Sequence, residues 1–98
     1  MNWIRVEDFD ETVEEFKNEI KKTSIDELNE LESGFLWWDE DATQYVYLKI
    51  EIYDYNEKDF DGRLVWEGNG FTAYDVWFDI GSKEDIFNIL NNIDDYFQ

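Results

Sequence analysis

Carboxylates are the chemistry this chain holds in quantity. It has 26 aspartates and glutamates against eight lysines and arginines, with no histidine and no cysteine. Two acidic groups stand out by spacing: Asp39, Glu40 and Asp41, then Asp54, Glu57, Asp59 and Asp61. Paired carboxylates can act as general acid and base, and alternating ones can hold a hard cation. Nucleophilic catalysis lacks its parts, because no Ser–His or Cys–His pair can be assembled. The serines, Ser24, Ser33 and Ser82, read better as helix-end residues. Among so many acids, close pairs arise by chance and nothing singles one out, so no enzyme is expected.

A cation site gets further before it fails. Glu57, Asp59, Asp61 and Gly62 imitate the opening of an EF-hand loop, with Leu64 at its apolar eighth position. The twelfth position is Gly68, Glu67 falls one short, and the flanks read as strands rather than helices. The stretch therefore reads as a charged hairpin turn, and neither metal nor cofactor is expected. Gly68, Asn69 and Gly70 form a hairpin signal; the helix and lysine of a phosphate-binding loop are missing.

Charge is the outlier. The net charge is −18, whereas solubility in a small domain asks for a magnitude of ~2–8. The excess repels itself in the compact state and costs stability. Abundant Ile, Asn and large aromatics argue against salt adaptation as its cause, and a basic partner accounts for it better. Direct nucleic-acid binding has the wrong sign, since counterion release needs Lys and Arg. Disorder is excluded by 43% hydrophobic and 19% aromatic residues. The absence of cysteine fits a reducing compartment. No apolar run approaches the ~18 residues of a membrane span, and the N-terminus lacks the pattern of a signal peptide. The expectation is a complete small cytoplasmic gene product, a monomer or small homo-oligomer that touches no membrane.

The elements that must position these acids follow from periodicity. The strand 45–55 alternates: Val46, Leu48, Ile50 and Ile52 on one face, Tyr45, Tyr47, Lys49, Glu51, Tyr53 and Tyr55 on the other. Upstream, Val6, Phe9, Val13, Phe16 and Ile20 make one helical stripe. Capping-box spacing at Asp8 and Glu11, and again at Ser24 and Glu27, predicts helices over about 8–22 and 25–32, or one kinked helix, with Gly34 ending the second. Trp3 to Val6 reads as a lead-in strand or arm, and Phe35 to Trp38 as a strand or a core-filling loop. Turns are expected at 39–44, at 56–62 with Asp61 and Gly62 as its chemistry, and at 68–70. Strands follow at 63–67 and 71–80. In the last, Tyr74, Val76, Phe78 and Ile80 join Leu64 and Trp66 on the helix-packed side, leaving Phe71, Ala73, Asp75, Trp77 and Asp79 outside. Ser82 and Asp85 cap a C-terminal helix with Ile86, Ile89, Leu90, Ile93 and Phe97 on its apolar face. The order is α+β: an N-terminal helix or helix pair, a three- to four-stranded antiparallel meander, and a C-terminal helix on one sheet face, in a single domain spanning 1–98.

This places a candidate partner surface on the outer sheet face and its loops. It comprises Asp39, Glu40, Asp41, Tyr47, Glu51, Tyr53, Asp54, Glu57, Asp59, Asp61, Glu67, Asp75, Trp77 and Asp79. Spaced carboxylates interleaved with aromatics suit a groove built to hold nucleic acid. With its −18 charge on 98 residues, its lack of cysteine, its helix–meander–helix order and its acidic turns, the chain resembles small acidic DNA-mimic inhibitors of phages and mobile elements, anti-CRISPR proteins among them. The resemblance is one of class and brings no motif, so no residue is carried over from it. It implies an inhibitor that blocks the DNA- or RNA-binding cleft of a nuclease or CRISPR effector, acting in the host cytoplasm if phage-encoded. The alternatives are an immunity protein against a basic toxin nuclease and, in a different class, a divalent-cation-binding module.

Overall fold

The strand with the cleanest alternation is the middle of the sheet. In β3 (Gln44–Tyr55) Val46, Leu48 and Ile50 are buried, and Ile52 is half-buried. The structure is a computed structural model and describes residues 2–56 and 59–97. Around β3 stand β1 (Ile4–Arg5), β2 (Glu32–Asp39), β4 (Phe60–Gly68) and β5 (Phe71–Gly81), forming one antiparallel sheet in the order β1-β2-β3-β4-β5. Five strands replace the expected three to four because Ile4–Arg5, within the lead-in stretch, and Phe35 to Trp38, within β2, are both strands. The first pairs with the edge that the second provides.

Both helices cover one face of this sheet. α1 (Phe9–Lys22) buries Phe9, Val13, Phe16 and Ile20, the predicted stripe, and α2 (Lys83–Asn91) buries Ile86, Ile89 and Leu90. Ser82 and Asp85 form the expected capping box, the Ser82 N–H donating to Asp85 Oδ2 at 3.1 Å. The boxes expected at Asp8 and Ser24 make no side-chain capping bond. The second predicted helix is a 3₁₀ turn, Ile25–Glu30. Six residues nucleate an α-helix poorly, and Asn29 ties them to the sheet. Its Oδ1 accepts from the Ile52 N–H at 2.6 Å, while its Nδ2 donates to Ile52 O at 3.4 Å.

Two glycines, Gly34 expected at a helix end and Gly62 expected in a turn, lie inside strands. Gly34 is in β2, where a Cβ would stand 3.2 Å from Thr12 Cγ2, so it serves close packing against α1. Gly62 lies in β4 between Ile52 and Phe78, beside register shifts on both sides; there a Cβ would meet Glu51 O at 2.2 Å. Gly70 does make the hairpin turn, at φ +84°. A further shift between Trp66 and Glu67 corrects the face of Phe71. Glu67 pairs with Thr72, and Phe71 turns inward against Trp3.

That contact reveals the curl of the sheet. Trp3 precedes the first strand and Phe71 opens the last, yet their rings stack at 6.4 Å. Phe97 lies between the edges, 5.9 Å from Trp3, 4.7 Å from Trp37 and 6.0 Å from Trp66. Truncating so central a ring leaves a cavity that the curl cannot close. Phe97→Ala is expected to cost about 3–5 kcal/mol in urea unfolding; a loss below about 1 kcal/mol would show that Phe97 does not hold the two edges together.

Candidate functional site

The outer sheet face is arranged in rows across the strands. Glu32, Lys49, Val65 and Asp75 stand in register; Phe35, Tyr47 and Glu67 lie on one side of them, and Glu51, Arg63 and Trp77 on the other. Arg63 is the centre. Its Nε donates to Glu51 Oε2 at 2.6 Å and its Nη1 to Asp75 Oδ2 at 2.7 Å, while Lys49 Nζ lies 3.5 Å from Glu51 Oε1. The guanidinium sits 5.3 Å from the Trp77 ring, which stacks on Tyr53 at 5.5 Å. The Tyr53 hydroxyl donates to Glu51. Beneath this network Val65 is fully buried, although it faces away from the helices.

These contacts set the local acidity. Hydrogen bonding from Arg63 pulls the Glu51 carboxyl from its ordinary 4.5 down to about 2, against an opposing push from burial and with help from Tyr53. Arg63 is held more firmly protonated by Glu51 and Asp75 in turn, and Tyr53 is raised chiefly by its bond to Glu51. Glu51 and Asp75 are therefore committed to an internal cation, where the sequence had offered them to a partner. Trp77 and Tyr53 remain about 60% exposed, and Asp79 is exposed.

The turns are altered in the same sense. Asp39 is 1% exposed, and its Oδ1 accepts from the backbone N–H groups of Asp41 at 2.9 Å and Ala42 at 3.3 Å. It shapes the turn, and only Glu40 and Asp41 of that trio face solvent. Thr43, in the same turn, takes φ +52°, the left-handed region that a β-branched residue rarely enters. At the opposite end of the sheet Asp54 and Asp61 face each other across β3 and β4, a repulsive pairing. Asp59 lies nearby, its N–H donating to Asn56 Oδ1 at 3.2 Å. Glu57 lies outside the described residues. Among the described residues no group of three His, Cys, Asp or Glu side chains is placed to hold a metal ion.

Two further features lie outside the predicted surface. Phe35 turns to the outer face 55% exposed, 4.9 Å from the Tyr45 ring and 6.2 Å from the Tyr47 ring, and Trp38 stacks on Tyr45 at 5.8 Å. Register shifts in β2 break the alternation that would place Phe35 and Trp38. The second feature is the outward face of α1, where Asp10, Glu11, Glu14, Glu15 and Glu19 are all exposed. Among the described residues, relief on this face comes from Lys17, whose Nζ lies 3.1 Å from Glu14 Oε1. This face is the polar complement of the buried stripe of α1. No family model, curated protein or solved structure matches the chain. Among the described residues no helix is long and apolar enough to cross a membrane.

Because the folded state holds the Glu51 carboxyl low, its stabilising effect is full above pH 4.5 and is lost as pH falls towards 2. Arg63→Gln is expected to cost about 1–2 kcal/mol near pH 7, the partly exposed setting limiting the loss. It should also flatten that part of the acid limb relative to wild type. Urea unfolding of both proteins across the acid range checks this, and parallel acid limbs would contradict it.

Proposed function

We propose that the protein is a stoichiometric, non-catalytic inhibitor that mimics nucleic acid and occupies the binding cleft of a basic nuclease or other nucleic-acid enzyme in the cytoplasm. The observation that carries this reading is linear charge density. The domain measures 43 × 24 × 23 Å, so its net charge of −18 spread along the long axis is about one charge per 2.4 Å. Duplex DNA carries one per ~1.7 Å. An elongated body of nearly that density is attracted by the same basic grooves and steered into them over distance.

The acids supporting the mimicry lie in three zones: the exposed 40–41 turn, the end where Asp54 is exposed and Asp59 and Asp61 are half-buried, and the exposed outward face of α1. Carboxylates bound to Arg63 contribute less, because their charge is already balanced. The outer-face aromatics supply contact area at low entropic cost between the two turn zones.

Affinity capture from a host lysate with mass spectrometry tests the reading. It should retain a basic nucleic-acid enzyme that duplex DNA displaces. Of the paired reversals Glu40→Lys with Asp41→Lys, Asp59→Lys with Asp61→Lys, and Glu11→Lys with Glu15→Lys, at least one should reduce retention about tenfold or more while the fold persists. Retention that DNA leaves untouched, or that survives all three reversals, would overturn it.

A further inference from the structure

Phe35, Tyr45, Tyr47 and Glu67 line an open recess of about 530 Å³ on the outer face, between the β2–β3 turn and the Asn69–Gly70 hairpin. Phe35 and Tyr45 are 55% and 43% exposed, large rings that the core does not use. The Glu67 carboxylate accepts from the Thr72 hydroxyl at 3.1 Å and makes no ion pair among the described residues.

The chain repeats this combination of ring and carboxylate wherever it holds one of its own arginines. Arg63 sits over Trp77 with Glu51 and Asp75 on its nitrogens. Arg5 sits 4.1 Å over the Phe9 ring and is ion-paired with Asp94. A planar guanidinium suits both partners, stacking on a ring face while its edge N–H groups reach a carboxylate. An ammonium, compact and strongly hydrated, uses the ring less well.

We propose that the recess takes an arginine side chain from the basic partner, its guanidinium stacked on Tyr45 and Phe35 and hydrogen-bonded to Glu67. The inference rests on the reading that the partner is basic, and it supplies the specific contact that bulk charge lacks. The local field agrees with a cation at this position: burial raises the Tyr47 hydroxyl pKa, and Glu32 and Glu67 raise it further, with Lys49 only partly offsetting them. A recess bounded by a tight hairpin and a strained turn at Thr43 is also held in shape before binding.

The test is an NMR titration of isotope-labelled protein with a blocked Gly-Arg-Gly peptide, run beside its citrulline and lysine counterparts. The arginine peptide should give saturable shifts, millimolar in midpoint, centred on backbone amides 43–47 and 67–70. Tyr45→Ala should weaken binding about threefold or more and Glu67→Gln about fivefold. The second keeps the side-chain volume, so a fold defect in the first does not decide the matter. Equal shifts from the citrulline or lysine peptide, or shifts centred on Glu11 and Glu15 of α1 instead, would overturn the inference. Recess binding without DNA-displaceable capture would remove the mimic reading alone. Capture with a silent recess would remove this inference alone.

Discussion

Eighteen unbalanced negative charges push outward on a body only 23 to 24 Å across its shorter axes. That repulsion is the constraint the fold has to meet. It is met from inside. The sheet buries Val46, Leu48, Ile50, Leu64 and Trp66 on one face under two helices, and curls until Trp3 and Phe71 from opposite edges meet around Phe97. Aromatic rings bury large apolar areas with few torsions to fix, so a chain that is 19% aromatic can carry surface charge that would unfold a leaner core. Relief at the surface is local: Arg63 and Lys49 together balance Glu51 and Asp75, and Arg5 balances Asp94.

This division of labour gives the outer sheet face its character. At its centre the charge is neutralised and Val65 is sealed beneath it. On either side lie exposed rings, Phe35 with Tyr45 and Tyr53 with Trp77. Exposed acid is concentrated in the turns that flank that face and, on the far side of the molecule, along the outward face of α1. The charged zones suit long-range attraction and the aromatic ones close contact. The two tasks fall to different residues.

Where a rule of periodicity ran unbroken, the sequence was legible. β3, the α1 stripe, the Ser82 cap and the C-terminal apolar face follow directly from spacing. The failures share one cause, a local irregularity that only the assembled sheet decides. Gly34 and Gly62 resemble helix-end and turn residues by type, but Thr12 of α1 packs tightly over Gly34 and the Glu51 carbonyl leaves no room for a Cβ at Gly62. Phe71 and Phe35 sit beside register shifts, and a one-residue shift moves a side chain to the other face. Among the site residues, Asp39 reads as part of an acidic trio but is drawn in to cap its own turn. Glu51 and Asp75 read as free acids because sequence does not show that Arg63 stands between them. Tyr47, Tyr53, Glu67 and Trp77 lie on the outer face where alternation places them, whereas the same rule misplaces Phe71 and Ala73, which pack against the core.

The central claim is that the excess charge serves attraction to a basic groove. The most direct measurement is the association rate constant with the captured partner as ionic strength rises from about 0.05 to 0.5 M, a range over which screening shortens from well beyond a contact distance to about one. The account predicts a steep fall, tenfold or more, with dissociation changing far less. An association rate that stays flat across that range would contradict it, because the charge would then play no part in finding the partner.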